Sequence, residues 1–153
     1  MTSSDPLPRF TSLVDRFEQT QNFIDQALAK ADRFRPEVIA RVVEGHKRTI
    51  DDLLVDILPL LDEVEGAAAA SEQERAEIEA GGAASRLTLE ELELRNLIGE
   101  LENEDWEAAR APHAERIAAV DSDLATVDVR IAELRDALLR WELVGQQAGL
   151  LQG

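Results

Sequence analysis

His46 and His113 are the side chains of this sequence best suited to acid–base or metal chemistry near neutral pH. In a helical protein a carboxylate-held metal calls for Glu-x-x-His, because that spacing sets both ligands on one helix face. Val43 stands three residues before His46 and Arg110 three before His113, so neither histidine completes the motif. Ile50 and Ile117 occupy the places four residues further on, so no carboxylate follows on the next turn. His46 lies among apolar residues at helical spacing and reads as a half-buried packing side chain. His113 follows Pro112 and reads as exposed.

The acidic residues offer little more. Asp121-x-Asp123 begins like a calcium loop, but Ala125, Thr126 and Ala132 stand where the third ligand, the glycine and the closing glutamate belong. Glu102, Glu104 and Asp105 beside Trp106 form an acidic run, yet neighbouring carboxylates on a helix point in different directions. The sequence has no cysteine, which removes thiolate catalysis, disulfides and cysteine-ligated metal. It has no glycine-rich phosphate loop and no Gly-x-Ser-x-Gly elbow. The expectation is a protein that is not an enzyme, with no cofactor and no metal.

Charge restricts the partners. The net charge of −16 is uneven: residues 1–48 carry +1, residues 49–108 carry −15 and residues 109–153 carry −2. An acidic middle repels phosphates, so no direct nucleic-acid binding is expected. The start, MTSSDPLPRF, has no apolar segment of signal-peptide length, and LVGQQAGLLQG is the longest uncharged run. No membrane span and a cytoplasmic location are therefore expected.

The elements that would carry any site are helices, since no period-two alternation persists. Residues 1–8 read as a disordered lead-in. Phe10, Leu13, Val14, Phe17, Ile24, Leu28, Ala31 and Phe34 form a helical stripe, predicting a helix over 9–34. Pro36 suits the first turn of the next, predicted over 36–80. There Ile39, Val43, His46, Ile50, Leu53, Ile57, Leu60, Val64 and Ala67 alternate at four and three, while Val42, Leu54 and Leu61 widen the face. A wide face belongs to a bundle with neighbours on two sides. Pro59 falls on the far side and predicts a kink. Such a helix would reach roughly 65 Å, which points to an elongated molecule.

Gly81-Gly82 is the strongest turn signal, and Thr88-x-x-Glu91 reads as a capping box for a third helix over 88–110. Its apolar set is Leu89, Leu92, Leu94, Leu97, Ile98 and Leu101. Pro112 predicts a break before a fourth helix over 112–144, and residues 145–153 read as a frayed tail. Residues 9–144 are expected to form one domain.

The last helix carries the most regular stripe: Ile117, Val120, Leu124, Val127, Ile131, Leu134, Leu138 and Trp141. It is the candidate interaction face. The core face is assigned to Phe10, Phe17, Ile24, Phe34, Ile39, Val43, Ile50, Leu53, Ile57, Leu60 and Val64. With Ile117 at a and Val120 at d, a parallel in-register dimer would set Asp123 against Asp128 and Arg130 against Arg135. Only Arg116 with Asp121 would attract. An antiparallel partner lets Asp123 meet Arg130 and Asp128 meet Arg135, so the stripe asks for an antiparallel neighbour, from a second copy or from this chain.

Residues 52–67, DLLVDILPLLDEVEGA, resemble the segment of GrpE-type nucleotide-exchange factors in which a long helix ends in a Leu-Leu-Pro-x-Leu-Asp pattern. Beyond that segment the chain departs: another heptad helix stands where the family has a β-rich region. The overall expectation is therefore an all-α, elongated, antiparallel bundle of three to four helices with coiled-coil segments. Its expected role is that of a structural or adaptor protein, self-assembling as a homo-oligomer or docking into a larger assembly of protein partners. The rival expectation is an acidic, chaperone-like or inhibitory protein that engages a basic partner through residues 49–108.

Overall fold

A computed structural model describes residues 5–149. The protein is all-α, with three helices packed with one another: α1 Pro6–Ala29, α2 Pro36–Leu97 and α3 Asn103–Gln147. Among the described residues there is no strand.

Asp5 caps α1, its Oδ1 accepting a hydrogen bond from the Leu7 N–H at 3.1 Å, with Pro6 in the first turn. The expected lead-in therefore ends sooner than residue 8; residues 1–4 lie outside the described part. α1 stops at Ala29 and not near residue 34. The Lys30 N–H turns back onto the Ala27 carbonyl at 3.1 Å, and the Arg33 N–H onto that of Lys30 at 3.0 Å. Pro36 then opens α2, as its fixed φ predicts. At the other end of the chain α3 runs on through Gly145 to Gln147, further than expected; residues 150–153 lie outside the described part.

Two expected breaks are absent. α2 passes through Gly81-Gly82, and Thr88 lies inside it, so the helices predicted over 36–80 and 88–110 are in fact one helix to Leu97. α3 likewise passes through Pro112, joining the ends of the two helices expected on either side of it. A proline inside a helix removes one N–H donor and frees the carbonyl four residues earlier. Pro59 and Pro112 are both exposed, as are Val55 and Ala108, whose carbonyls they free. Water can satisfy both carbonyls, and the helices continue.

The real turn between α2 and α3 is centred on Gly99, which has φ +82°. The Glu100 N–H donates to the Arg95 carbonyl at 2.9 Å and the Gly99 N–H to that of Asn96 at 3.1 Å. This is a Schellman cap, in which glycine takes the left-handed conformation that closes a helix. The Asn96 Nδ2 adds bonds to the Leu101 carbonyl and Asn103 Oδ1, each 3.0 Å.

The chain divides into two compact units. Of the described residues, one comprises those up to Ala68 together with those from Leu134; the other is Ala69–Glu133. In the first, all three helices contribute to one core: Phe10, Leu13, Val14 and Phe17 of α1, Leu53, Ile57 and Val64 of α2, and Leu134, Trp141 and Val144 of α3. Trp141 meets Phe17 edge-to-face with ring centroids 5.2 Å apart, and Phe10 at 6.5 Å. Arg140, beside it in sequence, forks to Asp15 at 2.5 Å and Glu18 at 3.2 Å on α1. Burial lowers its pKa, but hydrogen bonds and charge from Asp15 and Glu18 outweigh that and raise it overall.

In the second unit two helices pack antiparallel, and the buried residues that α2 brings to the contact are small. Gly82 lies so close to α3 that a Cβ built on it would meet Val120 Cγ1 at 2.8 Å. Ser85, one turn on, is also buried, as are Val120, Val127 and Ile131 opposite. Arg75 bonds Asp128 at 2.6 Å and Arg86 bonds Asp121 at 2.6 Å, which sets the register. The bond to Asp128, reinforced by its charge and that of Glu79, raises the Arg75 pKa. The Arg116 guanidinium donates to the Gly81 carbonyl at 3.4 Å.

Candidate functional site

The structure uses the candidate interaction stripe within the chain. Val120, Val127, Ile131, Leu134 and Trp141 are buried, and Ile117, Leu124 and Leu138 are half-buried. The antiparallel neighbour is α2 of the same molecule: Asp128 meets Arg75, and Asp121 meets Arg86. Arg130 lies three residues from Glu133 and pairs with it at 3.8 Å.

Of the assigned core face, Phe10, Phe17, Ile24, Val43, Leu53, Ile57 and Val64 are buried, while Ile39, Ile50 and Leu60 are half-buried. Phe34 departs from the assignment, with 54% of its surface exposed. The cause is the early end of α1, which places Phe34 in the connecting turn where it no longer follows the stripe. Leu28, in the last turn of α1, is exposed as well.

The chemistry-bearing side chains remain scattered. The half-buried His46 ring packs on Phe23, centroids 5.4 Å apart. His113 is half-buried and not exposed, because the helix continues through Pro112. Glu102, Glu104 and Asp105 are exposed, and Arg110 lies over the Trp106 ring at 6.0 Å. A polar depression holds Asp15, Glu18 and Asp25 beside Gln147, but Asp15 and Glu18 are tied to Arg140. Among the described residues no three His, Cys, Asp or Glu side chains gather as metal ligands. No helix among them is long and apolar enough to cross a membrane.

Large apolar side chains are exposed along all three helices, Phe23, Val55, Leu58, Val129, Leu139 and Leu143 among them, and two groups of them line depressions, one in each unit. In the first unit Phe34, Val38 and Val42 line a shallow depression with Ala27, Lys30 and Ile39. In the second, Leu87, Leu94 and Leu97 line another, interleaved with Glu90, Glu91 and Glu93. Leu97 is 74% exposed and Leu87 71%, values usual for a surface lysine and unusual for leucine at repeated helical spacing.

The leucine group has a cause in sequence. Over 87–98 the helix is apolar on two faces: Leu89 and Leu92 are half-buried, whereas Leu87, Leu94, Leu97 and Ile98 are exposed. Residues two apart on a helix, such as Leu92 and Leu94, point about 200° apart. One neighbouring helix can cover only one of those faces. The apolar set of this stretch was readable; its division between a covered and an open face was not, because that depends on how many helices pack beside it.

Comparison with known proteins finds no match: no family model, no curated protein and no solved structure is similar to this chain.

Proposed function

We propose that this protein is a non-catalytic helical adaptor that docks onto another protein surface through exposed apolar faces of its helices. The observation that carries the reading is the open leucine face of α2, Leu87, Leu94 and Leu97, with Ile98 just past its end, in a helix whose other apolar face is already half-buried. Exposing four large apolar side chains on one short stretch is unfavourable in water, and each one covered gains about 1.5–3 kcal/mol. The acidic residues between the leucines keep the face soluble until it is covered. The lack of any nucleophile–base pair or phosphate loop in the sequence supports the non-catalytic part of the reading.

The 117–141 stripe has no place in this docking, since the chain itself covers it. The docking role passes to the faces that its packing leaves open.

The test is the size at which the chain elutes from an extract of its source at endogenous concentration. Docking predicts elution well above 16.9 kDa for the wild type. A Leu94→Gln, Leu97→Gln variant should shift to the size of a smaller species. A wild-type chain that elutes as a single copy in that extract would overturn the reading.

A further inference from the structure

The two open apolar groups differ in the charge around them. The depression lined by Phe34, Val38 and Val42 has Lys30 at its rim, and Arg33, Arg35 and Arg41 lie beside these residues in sequence. Asp32 and Glu37 are the acids within 30–41, so the segment is net positive. None of those four cations forms an ion pair among the described residues. The leucine depression is the reverse. Glu90, Glu91 and Glu93 line it, and Glu100 and Glu102 follow. The cation nearest in sequence on its C-terminal side, Arg95, is already held by Glu91 at 3.1 Å and Glu100 at 2.6 Å. Those bonds raise its pKa, that to Glu91 most.

From this complementarity we propose that the leucine face of one copy docks into the Phe34–Val38–Val42 depression of a second copy. The inference rests on the docking reading above and names its partner. Leucines fill an apolar depression, and the free glutamates meet the unpaired Lys30, Arg33, Arg35 and Arg41. Identical faces do not pair as well. Two leucine faces bring glutamates together, and two copies of the other face bring cations together. Pairing two unlike faces closes in two copies if both contacts form within one pair, and otherwise adds further copies. A helical partner of foreign origin, with a basic rim of its own, is the competing occupant.

The experiment uses the full chain and two variants in exposed helix positions, where glutamine keeps helix propensity. One variant is Val38→Gln, Val42→Gln; the other is Leu94→Gln, Leu97→Gln. Mass is measured by sedimentation from about 1 μM to about 1 mM, the range of weak to moderate pairing, with circular dichroism to confirm that each variant is folded. The expected result has four parts. The purified wild type rises to two copies or more. Each variant alone stays at 16.9 kDa. An equimolar mixture of the two variants forms a one-to-one pair and nothing larger, because each supplies the face the other lacks. The wild-type association weakens as salt is raised.

If either variant alone still pairs with itself, identical faces meet and the proposal fails. A folded mixture that stays monomeric while the wild type associates overturns it too, as does an association indifferent to salt. A purified wild type at 16.9 kDa throughout also overturns it. Continued elution at large size from the source extract would then show that docking survives with a foreign partner.

Discussion

The two units of this chain hold their helices together by opposite means. The unit that contains α1 fills the space between three helices with large side chains; Phe10, Phe17, Ile57 and Leu134 are completely or almost completely buried. In the unit Ala69–Glu133 the buried residues of α2 are small, Gly82 and Ser85, and a Cβ at Gly82 would meet Val120 of α3 at 2.8 Å. A two-helix pair can bury only one stripe of each helix, so most of its surface is left to solvent or to a partner. That difference explains where the open leucines fall. In the three-helix unit Leu54 and Leu61 of the wide face are half-buried and Val42 stays open; along 87–98 a whole second face, Leu87, Leu94 and Leu97, finds no neighbour.

The largest expected effect is in the aromatic core. Trp141→Ala removes the ring that meets Phe10 and Phe17, and should cost about 3–5 kcal/mol in chemical denaturation. A loss under about 1 kcal/mol would mean that the three-helix core is not organised around that ring.

Next is a contrast of sign between two glycines of α2. Gly82→Ala forces a methyl group against Val120 Cγ1 at 2.8 Å, and overpacking of this kind costs about 1–3 kcal/mol, more than the roughly 1 kcal/mol that alanine gains in helix propensity. Gly66→Ala meets nothing within 4 Å, so only the propensity gain remains, and melting should move upward. Two substitutions of equal sign would remove the claim that close approach is particular to the two-helix unit.

Smaller again is the Arg140 fork. Its side chain is 35% exposed, so solvent screening limits the two pairs to about 1 kcal/mol together. Arg140→Ala should show that loss in low salt and less of it in 1 M salt, measured by the shift in denaturation midpoint.

These contrasts also show what was legible in the sequence. The all-α class, the 117–141 stripe and its demand for an antiparallel neighbour could be read directly, because a buried helix face repeats at three and four whatever covers it. Gly81-Gly82 was misread as a turn, since local propensity cannot distinguish a glycine that bends the chain from one that lets a neighbouring helix approach. The alanines around it, Ala80, Ala83 and Ala84, favour continuation, and the close packing on Val120 needs the missing Cβ. The true turn had its signal in Gly99, preceded by Arg95 in the last helical turn. Phe34 followed the stripe in spacing, but the helix ended first. Which carboxylate Arg75 would meet depended on the register of two helices 53 residues apart in sequence, and no local pattern carries that information.

In the proposed docking role, one apolar face of these helices holds the fold while another stays open to a partner. Thermal unfolding of two variants at a concentration below association tests it most directly. Leu134→Ala, in the fully buried stripe, should cost about 2–5 kcal/mol, or about 5–15 °C in a chain of this size. Leu94→Gln, Leu97→Gln should stay within about 0.5 kcal/mol of the wild type per site, a shift of about 2 °C or less for each. Equal losses from the two variants would contradict the account, because the leucine face would then be part of the fold and not free to bind.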